Sequence, residues 1–365
     1  MRALSTLLAT LALGTAAFAQ ETKTLFYMRA WPDQLIKFDP SDDSIVATMR
    51  NHRGVCHDVV LSHDRKRLFM TTGQRTYVEV VDLATMQASD EHLFRDDGFL
   101  VRIEEVREQP GGSRWFVKLE RLEKKLDHFV VQEPEWLDYD VVEKRIGKRT
   151  KELPKAIRRG ARISPDGAKW HVFDKDLVVV DPATLEEEAR IELSKPMYSG
   201  LGAISVRGDD LFDGRVAGCY RFLYTMRDPI NDERTLFGLV DLDLERNKIA
   251  DLIELGANPK AWRWHVTKDL KQAIATVRGG DGDQAQGDDP EAVLYTLDLV
   301  TGKKLRETRV KLRNGLHLGA ISPDGSKIYF VGRGHELVVH GADHQYLKTI
   351  ELPGEHDGWI LRVDD

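Results

Sequence analysis

Apolar and polar residues alternate along this chain in short runs, and the runs come in pairs joined by a turn. The clearest pair is HLGAISPDGSKIYFV, from His317 to Val331. An alternating stretch enters a Ser-Pro-Asp-Gly turn, and a second stretch with β-branched and aromatic residues returns from it. Alternation of period two on both sides of a turn predicts a β-hairpin, because successive side chains of a strand point to opposite faces. The pattern recurs as RGARISPDGAKWHVF from Arg159 to Phe173, HDVVLSHDRKRLFMT from His57 to Thr71, and WRWHVTKDLKQAIATV from Trp262 to Val277. Helical periodicity is nearly absent. A repeated supersecondary unit predicts an architecture before it says anything about function.

Read in order, Leu25 to Met49 supplies LFYM, QLIKFD and SIVATM, three strands where later units have four. His57 to Met86 is a full unit, ending in YVEVVDL and a turn at Ala84-Thr85. Phe99 to Lys148 carries FLVRIEEV, RWFVKL and WLDYDVV around a charged insertion, Glu120 to Pro134, that reads as a longer hairpin or loop. Its acidic and basic run Glu120 to Lys125 suits a solvated edge or a lid that meets a partner. Units from Arg159 to Leu193, Gly200 to Leu255, Trp262 to Val310 and His317 to Leu352 complete the series. The last stretch, HDGWILRV from His356 to Val363, has no partner of its own and supplies the strand that the first unit lacks. The predicted fold is therefore all-β, a seven-bladed β-propeller of four-stranded antiparallel blades closed by the C-terminal strand joining the first blade. A pair of β-sandwiches would explain the strand spacing but not the repeated turn or the orphan strand.

Composition narrows the setting. Met1 to Ala19 has one early charge at Arg2, an apolar stretch from Leu7 through Ala17 and small residues at Ala17 and Ala19, the pattern of a secretory signal peptide. Residues 20–365 are then a single β-propeller domain, periplasmic or secreted, with no later stretch apolar enough for membrane insertion. Removing the leader takes away one positive charge, so the net charge of −7 becomes −8. A mildly acidic chain has no electrostatic reason to seek nucleic acid. The two cysteines, Cys56 and Cys219, fall in units on opposite sides of the expected ring, too far apart for a disulfide. No Cys-x-x-Cys-His occurs, and no cofactor or metal is called for by any cysteine cluster.

The turns carry a resemblance. Ser164-Pro165-Asp166-Gly167 and Ser322-Pro323-Asp324-Gly325, together with Asp82-Leu83-Ala84-Thr85, Asp181-Pro182-Ala183-Thr184 and Asp298-Leu299-Val300-Thr301-Gly302, are similar to the YVTN-type β-propeller repeat. Ser62-His63-Asp64-Arg65 and the third and fifth units depart from it. Secreted relatives of that type include the propeller subunits of quinoprotein amine dehydrogenases. The resemblance covers most of the mature chain and implies fold, since these residues make turns. Three roles follow as expectations: a binding or scaffold module that meets a protein partner or a small polar ligand, a quinoprotein amine dehydrogenase-like propeller subunit, and a lactonase-type hydrolase suggested only by His317 before its turn.

In a propeller the first strand of each blade lines the central channel. Aligning the units on their turns puts His57, Arg159, Gly200, Trp262, His317 and Asp357 at one equivalent place, with His356 adjacent. His57, Arg159, Trp262, His317, His356 and Asp357 are thus the candidate ligand-binding residues at the channel mouth, and no catalytic residue is assigned. Neighbouring first, second and last blades would bring His57, His317 and His356 together, where neutral imidazoles suit a metal and one beside Asp357 suits a base. Solvated polar lining is the alternative. Arg158, Arg159 and Lys260 add positive charge that suits a carboxylate or phosphate. Trp262 and Trp264 share a strand face, as a stacking platform or as packing between blades. Gly279 to Asp289 is a Gly-rich acidic loop whose Asp281 and Asp283 begin a calcium-loop pattern that Ala285 does not continue.

Overall fold

A computed structural model describes residues 23–364, apart from residues 110, 151–160, 165–167, 174, 185, 196–201, 207–218, 232, 258–260, 279–290 and 313–315. The leader read over 1–19, the loop from Gly279 to Asp289, and Arg158, Arg159, Gly200 and Lys260 lie outside the described residues. No helix occurs among the described residues, and therefore none long and apolar enough to cross a membrane.

Four sheets have four antiparallel strands in sequence order. The second sheet along the chain comprises Asp58–Leu61, Arg67–Thr72, Tyr77–Asp82 and Gln87–Leu93. The fourth comprises Ala161–Ile163, Trp170–Phe173, Leu177–Val180 and Glu187–Ile191. The fifth comprises Ile204–Val206, Cys219–Arg227, Thr235–Asp243 and Lys248–Ala257. The sixth comprises Ala261–Val266, Gln272–Arg278, Glu291–Asp298 and Lys304–Lys311.

Two sheets differ from the expected four strands. In the third, Arg114–Lys124 runs on past its partner Glu135–Asp140, and Phe129–Val131 folds back on the overhang with Phe129 opposite Lys124, so the insertion is a hairpin. The other exception is a seven-stranded terminal sheet ordered His317–Ile321, Lys327–Val331, Arg333–Gly341, Tyr346–Asp364, Thr24–Trp31, Gln34–Asp39 and Ser44–Arg50. Two expected blades merge here because Tyr346–Asp364 runs unbroken. Its first half pairs with Arg333–Gly341, and its second half pairs with Thr24–Trp31, placing Val363 opposite Leu25 and Ile360 opposite Met28.

The turns explain why the hairpins form. At the first turn of a repeat the hydroxyls of Ser62, Thr267 and Ser322 donate to Asp64, Asp269 and Asp324 at 2.6, 2.7 and 2.6 Å. Each carboxylate also accepts a backbone N–H two residues on, a local bond that replaces a ladder bond. At the last turn, Asp82, Asp140, Asp181, Asp243 and Asp298 accept backbone N–H groups two or three residues later. That turn then closes through a left-handed residue, which is Asp43, Met86, Lys144, Asn247, Gly302 or His344 in different repeats.

The core lies between sheets. Thr24–Trp31 and Arg67–Thr72 are buried on both faces, whereas the outermost strands Ser44–Arg50 and Lys304–Lys311 are mostly exposed, as expected if sheets pack face to face and splay at the rim. Apolar clusters join the terminal sheet to the second, the second to the third, the third to the fourth, the fourth through the fifth to the sixth, and the sixth to the terminal sheet. A further cluster packs the two halves of the terminal sheet on each other, with Phe26 edge-on to Tyr329 at 5.4 Å.

Polar ties repeat the same step. Lys37 Nζ donates to the Leu83 carbonyl of the second sheet at 2.8 Å, Arg221 donates to the Leu299 carbonyl of the sixth, and Tyr329 Oη donates to the Pro40 carbonyl at 3.1 Å. Each acceptor is the residue after a turn aspartate.

Candidate functional site

The loop from Asn51 to His57 enters the inner strand Asp58–Leu61, and a buried acid holds it. Glu79 lies within the apolar strand Tyr77–Asp82, fully enclosed, and accepts from the His52 and Arg53 backbone N–H groups at 3.0 and 3.1 Å and from Thr72 Oγ1 at 2.8 Å. A buried carboxylate is stable only when such donors replace water. Arg53 then lies over the Tyr77 ring and pairs with Glu91 at 2.7 Å, fixing the outer side of the loop.

His57 meets guanidinium groups from a neighbouring strand and from another turn. Arg29 Nη1 donates to the His57 carbonyl at 2.6 Å, and Arg75 stands in a left-handed turn conformation, paired to Glu104 at 3.5 Å. Partial burial, then the charges of Arg75 and Arg29, hold the His57 imidazole below its ordinary pKa, so it is neutral at pH 7. Trp31 lies two residues beyond Arg29 at a hairpin tip and is 60% exposed. A tryptophan left in water at the end of an otherwise buried strand offers a stacking surface.

His317 and His356 meet at Gly358. His317 Nε2 donates to the Gly358 carbonyl at 2.9 Å, and the Gly358 N–H donates to His356 Nδ1 at 2.7 Å. The second bond leaves the proton of a neutral His356 on Nε2. Gly358 has φ +87°, and a Cβ there would stand 2.6 Å from His317 Cε1, so only glycine allows the approach. His356 is 1% exposed and sits where the long last strand passes between Gly334 and Ala30. Burial pushes His265 of the sixth sheet, which hydrogen-bonds the Leu318 backbone, down to about 3. Arg362 reaches from the last strand to donate to the Val266 carbonyl at 2.6 Å, tying these inner strands together.

The structure therefore brings His317 and His356 together and ties His57 to the first-repeat strand through Arg29. It does not assemble the three imidazoles as ligands: among the described residues no group of three or more His, Cys, Asp or Glu is placed to hold a metal ion. Arg159 lies outside the described residues, and only the backbones of Trp262 and Asp357 are described, Trp262 opposite Val277 and Asp357 opposite Arg333. Trp264 is buried in the core with Val266 and Tyr295, the packing role. Cys56 Sγ donates to the Asp58 carbonyl at 3.3 Å, while the Cys219 side chain is outside the described residues.

Sequence alignment of the repeats missed Arg29, Trp31, Arg75 and Glu79, since none stands at the start of an inner strand. Two signals were present: an acid inside YVEVVD, and a tryptophan at the Trp31-Pro32-Asp33 turn.

No family model and no curated protein matches the chain. Among solved structures, the dihydro-heme d1 dehydrogenase NirN in complex with DHE is similar over 92% of this chain and 74% of that one, with a TM-score of 0.50 and 15% identity. A functionally unknown protein from Desulfotomaculum acetoxidans DSM 771 aligns over 93% of this chain and 99% of its own, with a TM-score of 0.50 and 9% identity. Apo AztD from Citrobacter koseri covers 94% and 98%, with a TM-score of 0.48 and 13% identity. The fold is β-propeller-like. At these identities the likeness is one of fold alone.

Proposed function

We propose that the chain is a seven-bladed propeller acting outside the cytoplasm as a binding module, and that its mouth takes a small organic anion with an aromatic or otherwise flat body. The ring reading rests on the recurrence of one step between neighbouring repeats. Tyr329 donates to Pro40 across the chain ends as Lys37 does to Leu83 and Arg221 to Leu299. Dividing the terminal sheet between its two repeats, and setting aside the Phe129–Val131 return, leaves seven units of four strands. The leader-like first nineteen residues support export.

The observation that carries the ligand reading is the grouping of Arg29 and Arg75 around a neutral His57, with Trp31 exposed two residues from Arg29. Guanidinium groups recognise carboxylates through paired donors, a neutral imidazole adds a hydrogen bond without repelling them, and the indole supplies a stacking face. His317 and His356, locked on Gly358, give the mouth a rigid inner wall.

Titration with benzoate, followed by tryptophan fluorescence, tests the assignment. Saturable binding is expected, weakened about tenfold by Arg75→Gln and by Trp31→Ala, a loss of ~1.4 kcal/mol each. Binding that both variants leave untouched would remove the mouth as the site. A second reading, a propeller subunit of a quinoprotein amine dehydrogenase-like oxidoreductase, draws on the repeat resemblance. A small cofactor-bearing chain copurifying from the native host would favour it.

A further inference from the structure

We infer that the groove between the sixth sheet and the last repeat of the terminal sheet is a second binding site, for a small aliphatic carboxylate held by Arg306 and Thr296 over an apolar floor. The groove encloses about 190 Å³ and is lined by Gln272, Ile274, Thr296, Leu305, Arg306, Gly325 and Ala342. At the volume of a water molecule this is room for roughly six non-hydrogen atoms. Gly325 lies in the turn that ends the hairpin begun by His317, so the groove opens away from the mouth and does not depend on the function proposed there.

Strand register builds the site. His265 stands opposite Ile274, Ile274 opposite Thr296, and Thr296 opposite Arg306, so one cross-strand row runs from the inner strand to the rim. Residues paired in this way project from the same face. The row begins in the apolar interface, where Ile274 packs with Leu318 and Ile328, and ends at an exposed guanidinium. The Arg306 guanidinium makes no hydrogen bond or ion pair among the described residues, although Lys304 beside it is paired with Glu307.

His344 prepares Thr296. It is 1% exposed, and its Nε2 is 2.9 Å from Thr296 Oγ1, while its Nδ1 has no hydrogen-bond partner among the described residues. Burial, then the charge of Arg306, keeps this imidazole neutral above pH about 4. With its proton on Nε2 the ring donates to Thr296, and the threonine hydroxyl hydrogen is left for a ligand in the groove. One guanidinium, one hydroxyl donor and the Gln272 amide match a single carboxylate, and Ile274, Leu305 and Ala342 match a short hydrocarbon body. A dianion such as phosphate would meet one positive charge and an apolar floor.

Calorimetric titration of the full chain with sodium butyrate tests the site, with butylamine and inorganic phosphate as comparison probes. Butyrate should bind at one equivalent, and neither comparison probe should compete. Arg306→Gln, an exposed position, should weaken butyrate about tenfold with an unchanged thermal midpoint, and Thr296→Val should also weaken it. Arg75→Gln at the mouth should leave it unaltered. The inference fails if butyrate shows no saturable binding, if Arg306→Gln binds it as the parent does, if phosphate displaces it at equal concentration, or if Arg75→Gln is the variant that loses it.

Discussion

Three buried histidines that the repeat alignment passes over make this molecule less stable in acid. His92 is fully buried, edge-on to Trp115 at 4.5 Å, with Nδ1 3.1 Å from Tyr139 Oη and Nε2 3.3 Å from Asp90. Burial outweighs the nearby Asp90 charge and lowers it to about 4, and burial likewise brings His344 to about 4 and His265 to about 3. In each case the folded pKa lies below the unfolded value of about 6.5, so the unfolded chain takes up protons first. Stability is therefore full above pH about 6.5 and falls as the pH drops from there toward 4. Each pH unit that separates a folded pKa from its unfolded value is worth ~1.4 kcal/mol, so the combined loss is on the order of several kcal/mol. Glu105 and Glu108, whose carboxyls burial pushes up, act in the opposite direction at the acid end. Urea midpoints measured from pH 7.5 to 4.5 should fall steadily, with a shallower fall in His92→Gln. A flat profile would contradict the buried neutral rings.

At the scale of elements, backbone approach rather than side-chain packing limits substitution. The fifth sheet shifts register between Phe237 and Gly238, and a Cβ on Gly238 would lie 1.9 Å from the Ile253 carbonyl oxygen, a backbone atom that cannot turn aside. Gly238→Ala should cost about 3 kcal/mol or prevent folding, read from the urea midpoint or from soluble yield. Strands were legible in the sequence because each repeat writes its own turn: Ser322 and Asp324 bond each other, and Asp298 caps the N–H groups that follow it. The change of partner along Tyr346–Asp364 was legible, since one run closes at Leu352 and another opens at His356, but not that a single unbroken strand merges the first and last repeats into one sheet. The contacts around the candidate residues were legible in part for the same reason. His317 and His356 lie close in the alignment and meet at Gly358. Arg29 reaches His57 only through the packing of one sheet on the next, which no repeat pattern encodes.

For the whole molecule, the pairing of its first and last described strands is the decisive contact. Thr24 Oγ1 donates to Asp364 at 2.5 Å, and Leu25, Met28 and Ala30 each have a partner between His356 and Val363. Removing residues 355–365 strips Thr24–Trp31 of a neighbour and uncovers an apolar edge. That truncation should yield an aggregating chain with no cooperative unfolding transition. A monomeric, cooperatively melting product would show the last strand to be dispensable.

The same contact orders events in time. Thr24–Trp31 is made early and waits for a partner made some 340 residues later. Loop-closure entropy rises only with the logarithm of that separation, so the delay is a matter of schedule more than of free energy. A nascent chain cannot finish its opening sheet until that partner has emerged, and until then the sheet keeps a vacant edge on which a chaperone, or a neighbouring polypeptide, can settle.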